Sequence, residues 1–565
     1  MPYTLESSAK GAPVLVYTDE KTGKKISIHS AYNPVKEAER LAGSFHPGRS
    51  SLIIVTGIGL GFHIAELKKK FPGYRIIVLE RDEYAADLCR RINPESLKGI
   101  ELIFQKEKLL SLFEEEDISS FRGFRTLYFR TVYSIEPDFY NDIISDIRKL
   151  ISSKVSDLLT RFEFEELWAE NILKNTVKII SNHRIIEFFG KYSGYPGVII
   201  SAGPSLRKNI SSLKLIQDRA VLICVDTALP VVEKAGIKPH FVIALDAQKH
   251  TLNHFLPHMN SDIPLIADAV SYPRVSDEYK GKLIFSSTAK YYDSSDGKYR
   301  RETTPFLDWL EKHIPPIGDI QSGGSVATSA FDLILNLGCS SIILIGQDLA
   351  YTGREIHSSG THHNDNWLPG TNRFSNLETI NQKIITRRKT RYVDAFGGNG
   401  TVISDFVLDM YKNWFEDSTA RIKIPVYNST GGGAHIRGCI EKSIDEIAAG
   451  LKKPDITPAR ITEKILSAGP DTGSDLKKAI ESAEKNLNRL IELCEDSSSA
   501  MDEIMKLSGD GEISLMLKPF LKKTNTVINR GASFSGNEAV EMYRKELTRS
   551  CRKLTGLLGT IYNKI

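Results

Sequence analysis

Short, unbroken runs of branched apolar residues recur along the chain, each closing on glycine or a polar residue. SLIIVTG (51–57) and YRIIVLE (74–80) flank FHIAELKKKF, whose apolar residues return at helical spacing. The order is strand, glycine loop, helix, strand, a Rossmann-like beginning. HSAYNPVKEAERLAGSF (29–45) predicts a helix with Pro34 near its first turn, and ELIFQ (from 101) and TLYFR (from 126) predict further strands. From 136 to about 190 the pattern turns helical and reads as a bridge packed against both neighbours. GKYSGYPG (190–197) punctuates the chain, and a second series of apolar runs follows at VIISA (198), VLICVD (221), HFVIALD (240), PLIADA (264), KLIFSS (282) and SIILIG (341). These runs show little alternation, so they predict strands buried on both faces of a mostly parallel sheet. In the charged, helical remainder, Leu476, Ile480, Ala483, Leu487, Leu490 and Cys494 form one apolar stripe, which bundle packing explains.

The predicted class is therefore α/β. The expected division is a Rossmann-like domain (1–135), a helical bridge (136–190), a central, mostly parallel α/β domain (191–436) and a helical carboxyl-terminal domain (437–565). A length of 565 residues agrees with several cores, and 41% hydrophobic with 25% charged residues is the composition of a folded chain. Lys and Arg total 74 against 70 Asp and Glu, a formal charge of +4, which argues against a protein built to grip nucleic acid. Six widely spaced cysteines form no CxxC pair and read as reduced thiols. The opening MPYTLESSAKGAP lacks a signal-peptide pattern, and no apolar run approaches the ~20 residues that span a bilayer. The expectation is a cytoplasmic protein without membrane insertion; homo-oligomerisation stays open.

Two glycine loops carry candidate chemistry. In TGIGLGF, Gly57, Gly59 and Gly61 stand between strand and helix, and Glu80 closes the next strand near the offset of a ribose-binding acid. This loop fits two roles: holding a nucleotide or adenosyl cofactor, and allowing close packing of helix on sheet. In the second loop, Ser201-Ala202-Gly203-Pro204-Ser205, Pro204 ends the strand and Ser205 is placed to cap the next helix or to donate to a phosphate there. Other strands of the same domain also end in polar residues: Asp226 and Thr227, Asp246 and Gln248, Asp268, Ser286 and Ser287, Gln347 and Asp348. Ligands of open α/β sheets collect at the carboxyl ends of strands, so these residues are pocket candidates. QSGGSVATSAFDLILNLG (321–338) sets Gly323, Gly324 and Ser325 before a helix, a second possible anion cradle. No Gly-Lys-Ser/Thr follows either turn, which removes the support for P-loop ATP hydrolysis. Asn399 and Thr401 occupy a glycine-rich turn readable as pocket lining or as a simple loop, and GGGAHIRG (431–438) as a closing flap or a hinge.

Taken together, SAGPSL (201), VDTALP (225), PHFVIALDAQ (239), SGGSVATSA (322), IGQDLAYTG (345) and GGGAHIRG (431) resemble the motility accessory factor (Maf) family. The likeness runs from about 32 to 438. That family glycosylates flagellin with nonulosonic acids and shares its central, sialyltransferase-like domain with an archaeal 6-hydroxymethylpterin pyrophosphokinase, the MptE-like domain. The resemblance implies a donor activated by cytidine monophosphate (CMP), with flagellin as acceptor at Ser or Thr. It places Gly203, Pro204 and Ser205 beside the donor phosphate or ribose, with Asp226, Thr227 and Gln347 on the same nucleotide side. Gly323, Gly324 and Ser325 would lie near the nucleotide and Asp348 beneath the sugar. His357, in DLAYTGREIH, matches the family's histidine and the general base of similar sialyltransferases, with Asp246 or Asp348 orienting donor or acceptor. His362 and His363, just beyond, leave the choice of base open between His357 and His363. Gln248, Asp268, Ser287 and Asn399 complete the candidate pocket. A divalent ion is undecided: Asp348, His357, His363 and Asp365 include suitable ligand types, without the compact spacing of a zinc helix. Two alternatives stand beside this expectation: a pyrophosphokinase using ATP and Mg²⁺, and a non-catalytic flagellin-binding accessory protein.

Overall fold

The computed structural model describes residues 2–115, 121–293, 298–470, 472–496, 499–530 and 536–565. The chain forms two compact units, Met1–Glu163 with Tyr292–Arg300, and Phe164–Tyr291 with Arg301–Ile565.

The first unit contains a parallel four-stranded sheet in the order Glu101–Ile103, Arg75–Leu79, Leu52–Thr56, Phe124–Tyr128. Every residue of the Leu52–Thr56 strand is buried, as its unbroken apolar run requires. A three-stranded antiparallel sheet, Tyr3–Ser7, Pro13–Thr18 and Lys25–Ser27, precedes it. The following helix is Pro34–Ser44, starting later than expected because the Asn33 side chain accepts from the Lys36 amide and Pro34 opens the first turn.

The second unit is built on a ten-stranded sheet. Its main path runs Asp319–Ile320, Leu283–Thr288, Leu265–Asp268, Phe241–Ala244, Val221–Val225, Pro196–Ile200, Ser341–Ile345, Val426–Asn428, Ile440–Glu441, and each pairing described along it is parallel. From Pro196–Ile200 the chain steps outward strand by strand in one direction. It then returns to add Ser341–Ile345 on the other side. The order reverses between these two neighbours, so the residues following Ile200 and Ile345 flank the position where such sheets hold ligands.

The elements of the expected four-part division are distributed over these two units. The region expected as a separate bridge is one 45-residue helix, Pro137–Ser181, and the boundary between units falls within it. In the second unit, Asn171 and Asn175 of this helix donate to the carbonyls of Ala247, Ala269, Val270 and Ser271, tying down the loops after two strands. The sheet extends past 436 through Ile440–Glu441, and the helical tail shares one apolar core with it, including Leu476, Ile480, Leu487 and Leu490. A helix whose stripe is consumed this way is a layer of the same core.

Candidate functional site at the strand ends of the second unit

Where the strand order reverses, SAGPS and GQD are knitted together. The Gly203 amide donates to the Gly346 carbonyl at 2.8 Å. The Ser205 amide reaches both carboxylate oxygens of Asp348 at 3.2 and 3.3 Å, and its hydroxyl donates to Oδ2 at 2.7 Å. Thr352 donates to the same oxygen at 2.5 Å, and Ser201 to Gln347 Oε1 at 2.6 Å. A Cβ on Gly203 would stand 2.1 Å from Asp348 Oδ1 and 2.4 Å from the Gly346 carbonyl, so no other residue fits without moving backbone. Asp348 is 3% exposed; burial pushes its carboxyl up from the ordinary value, against the pull of the Thr352 and Ser205 hydrogen bonds. Ser205 is thus no helix cap. Its backbone is already helical, its side chain bonds none of the following amides, and its hydroxyl serves Asp348. GGGAH lies across the pair: Gly433, at φ +83°, leaves its absent Cβ 2.2 Å from the Asp348 carbonyl, and the Ala434 amide donates to that oxygen at 2.7 Å. The segment is packed onto the site and is no hinge into the tail. Lys208, exposed in the turn after Ser205, donates to the Gly431 carbonyl at 3.1 Å.

Next door, at the end of Val221–Val225, Asp226 is 3% exposed. Its Oδ1 accepts from the Thr227 amide at 2.6 Å and hydroxyl at 3.0 Å, and its Oδ2 lies 3.2 Å from Nδ1 of His254. His254 packs edge-on against His363, with ring centres 5.3 Å apart, and His363 stacks on His357 at 4.8 Å with 15° between planes. His362 stands 6.1 Å from His254. The Ser358 amide donates to the Ala202 carbonyl at 2.8 Å, which fastens this imidazole group beside SAGPS. Burial drives His357 down to about 4, with the neighbouring imidazoles adding to it, and burial also lowers His362 and His363. His254 differs: burial lowers it, but the hydrogen bond and charge of Asp226, with Asp246 behind, reverse the effect and leave it raised.

The remaining candidates have partners of their own. Asp246 pairs with His250 at 3.1 Å and accepts the Gln248 amide at 2.9 Å, with Gln248 itself exposed. Asp268 is buried, accepts from the Val270 amide and Thr288 hydroxyl, and is pushed by burial up to about 6. Ser287 donates to Asp319, whose carboxylate is gripped by Arg301 at 2.6 and 2.7 Å. These are internal partners, and they make Asp268 and Ser287 parts of the scaffold. The 323–325 turn is likewise closed on itself: the Gly323 and Ser325 amides donate to the Thr328 hydroxyl, the Gly324 amide to Ser322, and Ser325 caps the helix Val326–Asn336. The amides of 323, 324 and 325 are thus bonded within the turn. Asn399 stands in the exposed turn between the antiparallel strands Thr390–Asp394 and Thr401–Asp405. Among the described residues, no group of three or more His, Cys, Asp and Glu is placed to hold a metal ion.

In the first unit, the glycine loop is filled by the unit's own side chains. Glu80 accepts from the Ile58 amide and His29 Nε2 from the Leu60 amide, each at 2.8 Å. A Cβ on Gly57, Gly59 or Gly61 would meet Val132, His29 or Ser96 at 2.5, 2.7 and 2.2 Å. The geometry matches the close-packing role of these glycines, and Glu80 faces amides where a ribose was expected.

Sequence reasoning passed over His254, the only imidazole of the group paired with a carboxylate among the described residues. A signal was present: His250 and His254 sit four apart just after the acidic end of FVIALD, a spacing that sets both on one helical face.

Against this geometry, comparison with known proteins gives three findings. Residues 170–354 match the family model described as 6-hydroxymethylpterin diphosphokinase MptE-like. The solved structure of the Maf glycosyltransferase from Magnetospirillum magneticum AMB-1 superposes over 100% of this chain and 93% of that one, with a TM-score of 0.56 and 15% identity. This chain has the Maf glycosyltransferase fold. Two uncharacterized proteins of Treponema pallidum (strain Nichols) are also similar, 24% identical over 248 residues and 29% over 114. Those matches take in 40% and 19% of this chain, and the chain spans 61% and 49% of the length of these relatives. No helix among the described residues is long and apolar enough to cross a membrane.

Proposed function

We propose that this protein is a glycosyltransferase that moves a nonulosonic acid from a CMP-activated donor to a Ser or Thr hydroxyl of flagellin, acting in the cytoplasm before export. The observation that carries the reading is the meeting of SAGPS and GQD at the reversal of the sheet, beside a group of partly open imidazoles. Transfer from such a donor requires a place for an anionic leaving group and a base for the acceptor hydroxyl. Lys208, exposed three residues after Ser205, sets positive charge beside the first, while the neighbouring Arg207 is paired with Glu355 at 2.9 Å. Imidazole, whose ordinary pKa lies near 6.5, suits the second, and the group supplies the candidates. The whole-chain likeness to a Maf glycosyltransferase supports this reading over one resting on the central domain alone.

The experiment is incubation of the full chain with flagellin and a panel of CMP-activated nonulosonic acids, read by intact acceptor mass. A gain of one sugar residue per modified site is expected. The MptE-like match at 170–354 favours a second reading, a pyrophosphokinase acting on a hydroxymethylpterin. Release of AMP from ATP with that pterin, and an unchanged flagellin mass, would establish it instead. Tight flagellin binding with neither reaction would point to an accessory role without catalysis.

A further inference from the structure

The imidazole group holds several histidines, and only one is built as a base. A working base needs a ring nitrogen free for the substrate and a second group fixing its tautomer and orientation. His357 lacks the second: its ring lies flat on His363, and among the described residues neither ring nitrogen has a hydrogen-bond partner. His254 has both. Nδ1 faces Asp226 Oδ2 at 3.2 Å, and Asp226 is itself locked through Oδ1 by the Thr227 amide and hydroxyl. A carboxylate only accepts, so Nδ1 carries the proton and the lone pair lies on Nε2, which has no hydrogen-bond partner among the described residues. His254 is 9% exposed, covered on one side by the rings of His362 and His363.

We infer that His254, oriented by Asp226, is the general base for the acceptor hydroxyl, the role that resemblance alone would give to His357. The inference rests on the glycosyltransferase reading and names the group that serves it. In the step, the acceptor O–H bond breaks and its proton passes to Nε2 of His254. The acceptor oxygen bonds to the anomeric carbon of the donor sugar, and the bond from that carbon to the phosphate oxygen breaks, CMP leaving with the electron pair. Asp226 is a positioning residue: it holds the tautomer and stabilises the imidazolium that forms. His363 and His357, kept neutral by burial, form a wall that adds no competing positive charge near neutral pH.

The charged and titratable groups around His254 are Asp226, Asp246, His357, His362 and His363. On the helices packed against it, Glu233 is taken by His258 and Ser261, Arg274 by Glu278, and Asp277 by Lys178. Asp226 is therefore the group whose removal should move the titration of His254, and in a known direction. Without that carboxylate, burial governs and the histidine titrates lower.

The test is kcat/KM for flagellin modification against pH in the wild type and in His254→Asn, Asp226→Asn, Asp226→Glu and His357→Asn. His254→Asn is expected to lose about 10²- to 10⁴-fold. Asp226→Asn is expected to lose at least about tenfold and to carry the acidic limb of its profile to lower pH, and Asp226→Glu to recover part of both. His357→Asn should keep the acidic limb where the wild type has it. NMR titration of the wild-type imidazoles, free of any folding defect, should find His254 titrating above 6.5 and His357 well below. A His254→Asn rate within threefold of wild type, or a His254 signal titrating below 6.5, overturns the inference while wild-type transfer stands. No transfer by the wild type overturns the glycosyltransferase reading, and this role with it.

Discussion

The two units each set a glycine turn at the end of a buried parallel strand, and each encloses titratable side chains there, yet the groups end in different electrostatic states. At the glycine turn of the first unit burial wins at all three groups. His29 is driven down to about 3, His63 to about 4, and Glu80 up to about 7, so all three are pushed toward neutrality while bonding backbone of their own loop. In the second unit Asp226 overrides burial at His254, and exposed Lys208 stands three residues past Ser205. A strand-end glycine turn is thus not evidence of a ligand site. The two differ in whether the polar groups are consumed internally or leave an imidazole nitrogen with no hydrogen-bond partner among the described residues, as at His254.

Substitutions at the two turns test that contrast most strongly. Gly203→Ala drives a Cβ into a backbone carbonyl and a buried carboxylate, and Gly61→Ala drives one to within 2.2 Å of the Ser96 hydroxyl at φ +74°. Each should cost about 2–4 kcal/mol of stability, read as a fall in denaturation midpoint. The two should differ in function: below its melting temperature Gly61→Ala keeps its specific transfer rate, and Gly203→Ala loses about 10²-fold by shifting Asp348 and Ser205. Equal loss of rate in both would erase the distinction between the turns.

A smaller effect is expected from Asp348→Asn. An amide nitrogen would replace one oxygen that now accepts buried donors, for about 1–3 kcal/mol. Denaturant titration checks it, and an unchanged midpoint would mean that the network does not hold the site together.

The pH dependence of the first unit follows by sign. The folded state binds the Glu80 proton more tightly than the unfolded state does, so the stability this gives below about pH 4.3 is lost as pH rises through about 7. His29 and His63 act oppositely. Their folded pKa values lie below 6.5, so stability is lost as pH falls through the interval down to about 4 and 3. Between about 4.5 and 6.5 the slopes oppose one another. Glu80→Gln leaves only the rising ones, so stability should climb more steeply with pH in that window, by up to about 1.4 kcal/mol per pH unit. Identical slopes in variant and wild type would show Glu80 to be ionised. The smallest effects belong to residues outside the site: Ser325→Ala should lose about 1 kcal/mol as a missing cap, and Asn399→Ala less than about 0.5 kcal/mol, with transfer unchanged.

Much of this was legible because long-range burial writes itself into short sequences. The six apolar runs from 198 to 341 are all strands of the parallel sheet, and the 476–494 stripe is the buried face of Leu476–Glu495. The meeting of Ser205 with Asp348, 143 residues apart, followed from the rule that polar strand ends gather where the strand order reverses. What escaped has physical causes. Asp319–Ile320 and Ile440–Glu441 are two residues long, too short for any periodicity. At 323–325 two of the turn's amides go to Thr328, one helical turn on, and the third to Ser322, internal bonds that the sequence, where Thr328 reads as an ordinary helix residue, does not announce. His254 was passed over because its i, i+4 spacing from His250 marks only a shared helical face, while its pairing with Asp226, 28 residues away, is set by the fold.

The most direct test of the central claim, that the ligand site lies at the strand ends of the second unit and the glycine turn of the first is filled, is hydrogen exchange with and without saturating CMP. The account predicts slowed exchange in segments covering 201–208, 226–227 and 346–363, with 57–61 unchanged. Protection confined to 57–61 would contradict it.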